Sequence, residues 1–178
     1  SKTFMYKLVE LNIDQKALIQ WITAGLAIKE VRELHGGAPY LFSNMIAKVT
    51  LAADQYFLSV NALDRLNQDK IDLEKVYKRS TFYGKKSPYM YEHTIPASIV
   101  RSKLLTVPPL EEEVINVLNA AGHVVMILRE EDNLLRANGL TRKMPQGWEW
   151  GDDPFARYHS SGIELSKTRI MMKGIICR

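Results

Sequence analysis

Cysteine is almost absent from this sequence, because Cys177 is the only one in 178 residues. One thiol can build neither an internal disulfide framework nor a cysteine-based zinc site, so a reducing compartment fits best. The chain also shows no N-terminal apolar segment and no apolar run near the ~20 residues that a membrane span needs. We therefore expect a cytoplasmic protein with no membrane partner.

Several common signatures of activity are missing as well. The sequence contains no Gly-x-Gly-x-x-Gly, no phosphate-binding loop ending in Gly-Lys-Ser/Thr, no His-Glu-x-x-His and no Gly-x-Ser-x-Gly. These are the patterns of dinucleotide binding, nucleotide binding, zinc proteases and serine hydrolases. No internal repeat or low-complexity segment is visible either. The candidates for chemistry are therefore carboxylates and histidines.

What is present is an ordinary globular composition, 46% hydrophobic and 25% charged, with a formal charge of +4. The length lies within the usual range of about 100–200 residues for one domain and is sufficient to bury a core. The mild basicity is compatible with a polyanionic partner but does not require one.

The first half has the residue spacing of helices. Asp14 suits the N-cap of a first helix, which Gly36-Gly37 ends. Apolar residues at three-and-four spacing from Phe42 to Leu63 predict a second helix of more than five turns. Residues 72–79 fit a third, short helix. We expect an α+β fold, with a helical part over residues 1–82 and a mixed part over residues 83–178.

A basic segment rich in helix breakers lies where the composition changes. Between residues 75 and 86 there are five basic side chains, no acidic one and interleaved aromatic residues. Such a segment can neutralise phosphates and stack on bases, and the alternative is a solvated loop whose lysines extend along the surface. The candidates for nucleic-acid contact are Lys75, Lys78, Arg79, Lys85 and Lys86.

The second half alternates predicted strands and helices. Aromatic and β-branched residues over 89–96 indicate a strand that Pro96 closes, and the continuous apolar run over 123–128 predicts a buried strand. Helices are predicted over residues 110–121, over residues 129–137, which Asn138-Gly139 ends, and over a short stretch after Pro154.

Carboxylates and an imidazole stand at the ends of these elements. Glu92 and His93 lie near the end of the first strand, and Glu131 and Asp132 begin the helix after the second. If the two strands pair, the helix brings Glu131 or Asp132 towards Glu92. Two carboxylates with open coordination positions suit Mg²⁺, with Mn²⁺ as the alternative. An imidazole beside them can deprotonate a water for attack on phosphorus.

This arrangement resembles the ββα-metal (HNH-type) nuclease finger. The likeness covers about residues 89–137, from Glu92-His93-Thr94-Ile95-Pro96 through an apolar strand to Arg129-Glu130-Glu131-Asp132. It implies a metal-dependent DNA endonuclease in which His93 is the general base, Glu92 a metal ligand, and Asp132 or Glu131 the helix ligand. The chain departs from the family in having Asp in place of the helix His or Asn. Asp132 also follows His93 by 39 residues, which requires an inserted helix.

Other interpretations stay open at this point. A non-enzymatic nucleic-acid-binding or regulatory protein would use the basic 75–86 segment, and a protein–protein module, for example a homodimer, would use the helical half. The acids of residues 130–132 are also favoured at a helix N-terminus for structural reasons alone. Arg157, close in sequence to Asp153 and His159, is either a phosphate contact or part of a surface cap.

Overall fold

The computed structural model describes residues 10–33 and 39–173, which form eight α-helices and one five-stranded sheet. The predicted α+β class and the N-terminal helical part are confirmed. The helices are α1 (Ile13–Ala27), α2 (Lys29–Glu33), α3 (Pro39–Leu51), α4 (Val60–Gln68), α5 (Ala97–Leu104), α6 (Glu111–Ala121), α7 (Arg129–Ala137) and α8 (Ala156–Ser160). The strands are β1 (Gln55–Ser59), β2 (Val76–Tyr77), β3 (Tyr89–His93), β4 (Val124–Leu128) and β5 (Leu165–Met172). Within these residues no helix is long and apolar enough to cross a membrane.

The sheet has the strand order β2-β5-β1-β4-β3. β1 and β4 are parallel neighbours at its centre, β5 is antiparallel to β1, and β3 is antiparallel to β4. Because β1 and β4 are covered on both faces, they are almost continuously apolar rather than alternating. The sheet takes β1 and β2 from before residue 82 and its other strands from after it, so the two expected parts of the chain share one sheet.

Helices pack on both faces of this sheet, and four further helices pack mainly on one another. The helices α1, α3, α5 and α6 form an apolar cluster of their own, with Ile19, Ile46, Val100 and Leu118 in its interior. Leu66 of α4 packs on one face of the sheet with Tyr56 and Leu58, and we call this the α4 face. Leu135 of α7 packs on the opposite face with Val125 and Ile127, together with residues of α8, and we call this the α7 face.

The two halves of the chain repeat one arrangement. The unit β1-α4 recurs as β4-α7 with identical element lengths, and each position of the second unit follows its counterpart by 69 residues, as Val124 follows Gln55. The helix ends match too: the Ile71 N–H donates to the Leu66 carbonyl at 3.0 Å, and the Leu140 N–H donates to the Leu135 carbonyl at 2.8 Å. One of the clustered helices, α3 or α6, precedes each unit.

Equivalent residues of the two units face opposite sides of the sheet. Tyr56 packs on the α4 face, whereas its counterpart Val125 packs on the α7 face. The units are therefore related by an approximate two-fold axis that runs within the sheet, along β1 and β4. The pairing is reciprocal, because β3 follows the first unit and pairs with β4, while β5 follows the second unit and pairs with β1.

Several sequence expectations are wrong. The predicted helix from Phe42 to Leu63 ends at Leu51, and β1 interrupts it, because a strand buried on both faces continues an apolar spacing that resembles a helical one. Residues 72–79 contain β2 instead of a helix, since the Asp72 carboxylate accepts the Glu74 N–H at 3.0 Å and makes a turn. Asn12, not Asp14, caps α1. The structural repeat left no visible sequence repeat.

Candidate functional site

Glu92 and His93 occupy the last two positions of β3, which is an edge strand of the sheet. In the antiparallel register with β4, Glu92 lies opposite Val125 and His93 opposite Val124. Because successive side chains of a strand point to opposite faces, Glu92 belongs to the α7 face and His93 to the α4 face. The strand therefore separates two side chains that the sequence analysis assigned to one site.

The Glu92 carboxyl is largely buried, with 20% of its side chain exposed. Burial raises its pKa to about 7, because a low-dielectric environment disfavours the charged form. The positive charge of Arg157 opposes this shift, and the negative charge of Asp132 adds to it. Glu92 and Asp132 are thus within electrostatic reach of each other on the α7 face.

Asp132 lies at the start of α7 and is buried together with Glu131. Its Oδ2 accepts a hydrogen bond from Arg136 Nη2 at 3.1 Å, one helical turn later. The Arg136 side chain is 69% exposed, so this ion pair is solvated and weak. The spacing of four residues between an acid and an arginine was the sequence signal for this contact.

Glu131 has a different set of partners. Its Oε1 accepts the Ser59 hydroxyl at 2.6 Å and the Leu128 N–H at 2.9 Å. It therefore satisfies an N–H at the start of α7, and it ties this helix to the residue that caps α4. Of the two helix acids that the sequence left open as ligands, Asp132 is the one that lies towards Glu92.

Arg157, on α8, is almost fully buried, with 1% of its side chain exposed. A guanidinium group carries five N–H donors, and here five oxygen acceptors surround it. A phosphate contact needs an accessible guanidinium, whereas this one holds the end of β3 against the loop after α7. The acceptors are the Glu92 carboxylate and the carbonyls of His93, Thr94, Leu140 and Thr141. No local sequence pattern indicates that this arginine is buried.

The His93 ring is kept neutral by its surroundings. Burial lowers its pKa to about 4, and the positive charge of Arg157 acts in the same direction. A neutral imidazole can accept a proton, which a general base must do. The backbone carbonyl of His93 also accepts a hydrogen bond from the Tyr158 hydroxyl at 3.3 Å, so the end of β3 is fixed from the α7 face.

The residues of the first unit that are equivalent to Asp132 and Glu92 are apolar. Leu63 is the counterpart of Asp132, which follows it by 69 residues. Ile170 is the counterpart of Glu92, because Ile170 pairs with Tyr56 and Glu92 pairs with Val125, the counterpart of Tyr56. Leu63 and Ile170 both belong to the apolar layer of the α4 face. The fold therefore accommodates apolar residues at the two positions where the second unit has carboxylates.

The basic residues of the 75–86 segment lie apart from the carboxylates. Their four lysines are exposed, and the segment leads into the start of β3, whereas Glu92 is near its end. Arg79 begins a 3₁₀ turn, Arg79–Phe82, that packs on the α4 face. The Arg79 carbonyl accepts the Tyr91 hydroxyl at 2.6 Å. The segment thus follows the face that also carries His93.

A divalent ion at the candidate site would have two protein carboxylates. In the described part of the chain, no group of three or more His, Cys, Asp or Glu side chains is arranged to hold a metal. Two carboxylates still fit Mg²⁺, which keeps several waters and binds through one or two carboxylates together with phosphate oxygens.

Comparisons of the chain with models of known protein families, with curated proteins and with solved structures gave no match.

Proposed function

We propose that this protein is a metal-dependent endonuclease that hydrolyses phosphodiester bonds in DNA, with Glu92 and Asp132 as ligands of Mg²⁺ or Mn²⁺. The observation that supports it best is that the charge of Asp132 acts on the buried Glu92 carboxyl, at positions where the first unit has Leu63 and Ile170. Buried carboxylates that the fold does not need are expected at a functional site.

The two carboxylates and the residues around them have different roles in the proposed site. Glu92 and Asp132 supply oxygen ligands, and Arg136 can leave Asp132 at small cost because their ion pair is exposed on one side. Arg157 places a fixed positive charge beside Glu92. A bound divalent ion would polarise a phosphate oxygen and stabilise the leaving oxygen. Glu131 stays with its N–H and hydroxyl donors and holds α7 in place.

His93 is assigned the role of general base. Its ring is neutral at neutral pH, as a general base must be, but a pKa of about 4 makes it a weaker base than an ordinary imidazole. The residue is half-buried at the end of an edge strand, so part of it is accessible. Since it lies on the opposite face from Glu92, the role requires that one water reaches both the imidazole and the phosphorus around the strand end. DNA would be guided there by the basic 75–86 segment. The cytoplasmic location and the homodimer remain predictions from the sequence.

The test is cleavage of plasmid DNA in Mg²⁺, Mn²⁺ or EDTA by wild-type protein and by variants. Glu92→Gln and Asp132→Asn should each reduce cleavage roughly 10²-fold or more, because the polarisation by a metal is worth several kcal/mol. His93→Ala should reduce it roughly 10²- to 10⁴-fold. Glu130→Gln is the matched control, because Glu130 is an exposed acid in the same turn of α7, and it should cleave as wild type does. Cleavage in EDTA, or full activity without Glu92 or His93, would refute the mechanism.

A non-enzymatic nucleic-acid-binding protein is the alternative. The observation that favours it is the ion pair between Arg157 and Glu92, at 3.5 Å, because a carboxylate can be retained to compensate a buried arginine. Such a protein would bind DNA with a strong dependence on salt and would leave it intact in every metal.

A further inference from the structure

The two arginines that pack on opposite faces of the sheet are in contrasting states. Arg157 has five acceptors, whereas Arg79 makes no side-chain hydrogen bond or ion pair with any described residue, and its Nη1 is buried without a partner. Leaving a buried charged donor unsatisfied costs free energy, because the group has lost its hydrogen bonds to water. Because Nη1 itself is closed to solvent and Arg79 as a residue is half-buried, an acceptor from outside the chain would reach this guanidinium through its other nitrogens.

An exposed tyrosine ring, that of Tyr83, lies near Arg79 in the chain. The Tyr83 ring is 76% exposed and stacks on Tyr91, with ring centres 6.5 Å apart and planes 7° from parallel. Tyr91 is also the residue whose hydroxyl bonds to the Arg79 carbonyl. The Tyr83 ring therefore has one parallel aromatic neighbour and is otherwise largely open to solvent.

The chain segment that carries Arg79 and Tyr83 is basic. Lys78, Lys85 and Lys86 are exposed, and the 75–86 segment has no acidic residue. None of these lysines forms an ion pair with a described carboxylate. An anionic partner that follows this segment would meet several exposed cations that are not already paired.

We propose that this surface binds single-stranded nucleic acid, with a phosphate on Arg79 and an unpaired base stacked on the outer face of Tyr83. A duplex keeps its bases stacked on each other, so only a single strand can offer a base to the tyrosine. The inference rests on the proposed function for the class of partner, nucleic acid, but it requires neither a metal nor cleavage.

The test is fluorescence anisotropy in EDTA, with a labelled 20-nucleotide oligothymidine and a labelled duplex of the same length. Wild-type protein should bind the single strand more tightly. Tyr83→Ala should weaken single-strand binding roughly 5- to 100-fold, the usual range for one stacked base, and leave duplex binding unchanged. Arg79→Gln should weaken binding and lower the slope of log affinity against log salt by about one.

Two matched controls accompany these variants. Tyr40, on α3, is 73% exposed, so Tyr40→Ala removes an equally exposed ring from the distant helical cluster. Lys16→Ala removes one exposed positive charge from α1. Both should bind the single strand as wild type does.

Two outcomes would overturn the proposal. One is unchanged single-strand affinity in Tyr83→Ala. The other is an Arg79→Met variant that is more stable than wild type and binds equally well, which would mean that the guanidinium meets only a buried water. Glu92→Gln should retain single-strand binding, so a failure of the nuclease proposal and a failure of this one give different results.

Discussion

The two β-α units of this protein have the same geometry, but they differ in the residues between the helix and the antiparallel strand beside the unit, which is β5 for the first unit and β3 for the second. In β1-α4 the contact is made by Leu63 and Ile170, inside an apolar layer. In β4-α7 the same positions hold Asp132 and Glu92, and burial raises the pKa of Glu92 to about 7. Carboxylates therefore stand in the second unit at positions that are apolar in the first unit. This difference separates what the fold requires from what the site requires.

The largest effect is expected where the two units are the same. Leu66→Ala and Leu135→Ala each remove a fully buried side chain at equivalent positions, and each should lower the free energy of unfolding by about 2–5 kcal/mol. Urea unfolding followed by circular dichroism measures both. A large cost for one and a negligible cost for the other would show that the two units do not pack equivalently.

A smaller effect is expected from Glu92, where the two units differ. Its folded pKa of about 7 lies above the reference value of 4.5, so the folded state holds the proton more tightly than the unfolded state does. Its contribution to stability is complete below pH 4.5 and is lost as the pH rises through 7. The wild-type stability minus that of Glu92→Gln should fall by about 3 kcal/mol across this window.

This difference is measured in EDTA, so that no metal changes the protonation of the carboxyl. Comparison with Glu92→Gln also cancels the opposite contributions of His93 and His123, whose pKa values are lowered to about 4. A difference that does not change with pH would mean that Glu92 is not held in the environment described.

The third comparison concerns the residue that joins the two units. Glu131 follows Ala62 by 69 residues, and it alone bonds to both Ser59 and the Leu128 N–H. Glu131→Ala, which restores the residue of the first unit, should cost about 1–3 kcal/mol, because it leaves a buried donor without its acceptor. Thermal unfolding tests this. A neutral effect would show that water replaces the carboxylate.

The smallest effect concerns the helix ends. Lys70 and Gly139 are counterparts, with φ values of 57° and 69°, in the left-handed region that favours glycine. Lys70→Gly should stabilise the protein by about 0.5–1 kcal/mol, and Gly139→Ala should destabilise it by about 1 kcal/mol. No atom lies within 4 Å of a Cβ added at Gly139, so this effect comes from the backbone alone. In urea unfolding, a destabilising Lys70→Gly or a stabilising Gly139→Ala would contradict the equivalence of the two helix ends.

The sequence predicted the second unit well and the first unit poorly. The helix over 129–137 and the strand over 123–128 were predicted within a residue, because a continuous apolar run, three acids and Asn138-Gly139 mark their limits. No comparable residues separate α3 from β1 in the first half of the chain. The sequence analysis therefore interpreted α3, β1 and the start of α4 as one helix. β5 was missed because its alternation of basic and apolar residues resembles a surface tail.

The candidate site was predictable only in part. Local patterns predict the order strand, strand and helix, and this order places Glu92 and Asp132 towards one face of the sheet. The sequence could not show that alternation along β3 turns His93 to the other face, or that Arg157 is buried with five acceptors. The sequence does not show the repeat because equivalent positions hold different kinds of residue, as Leu63 and Asp132 do. Only the shared geometry of the two units reveals it.

The most direct test of the divalent-cation site is the effect of Mg²⁺ on unfolding of wild-type protein and of Asp132→Leu, which restores the residue of the first unit. At about ten times its dissociation constant, Mg²⁺ should raise the free energy of unfolding of wild type by ~1.4 kcal/mol. The Asp132→Leu variant should fold with the same circular dichroism spectrum and show no response to Mg²⁺. The same response in both proteins, or none in wild type, would contradict a cation site formed by Glu92 and Asp132.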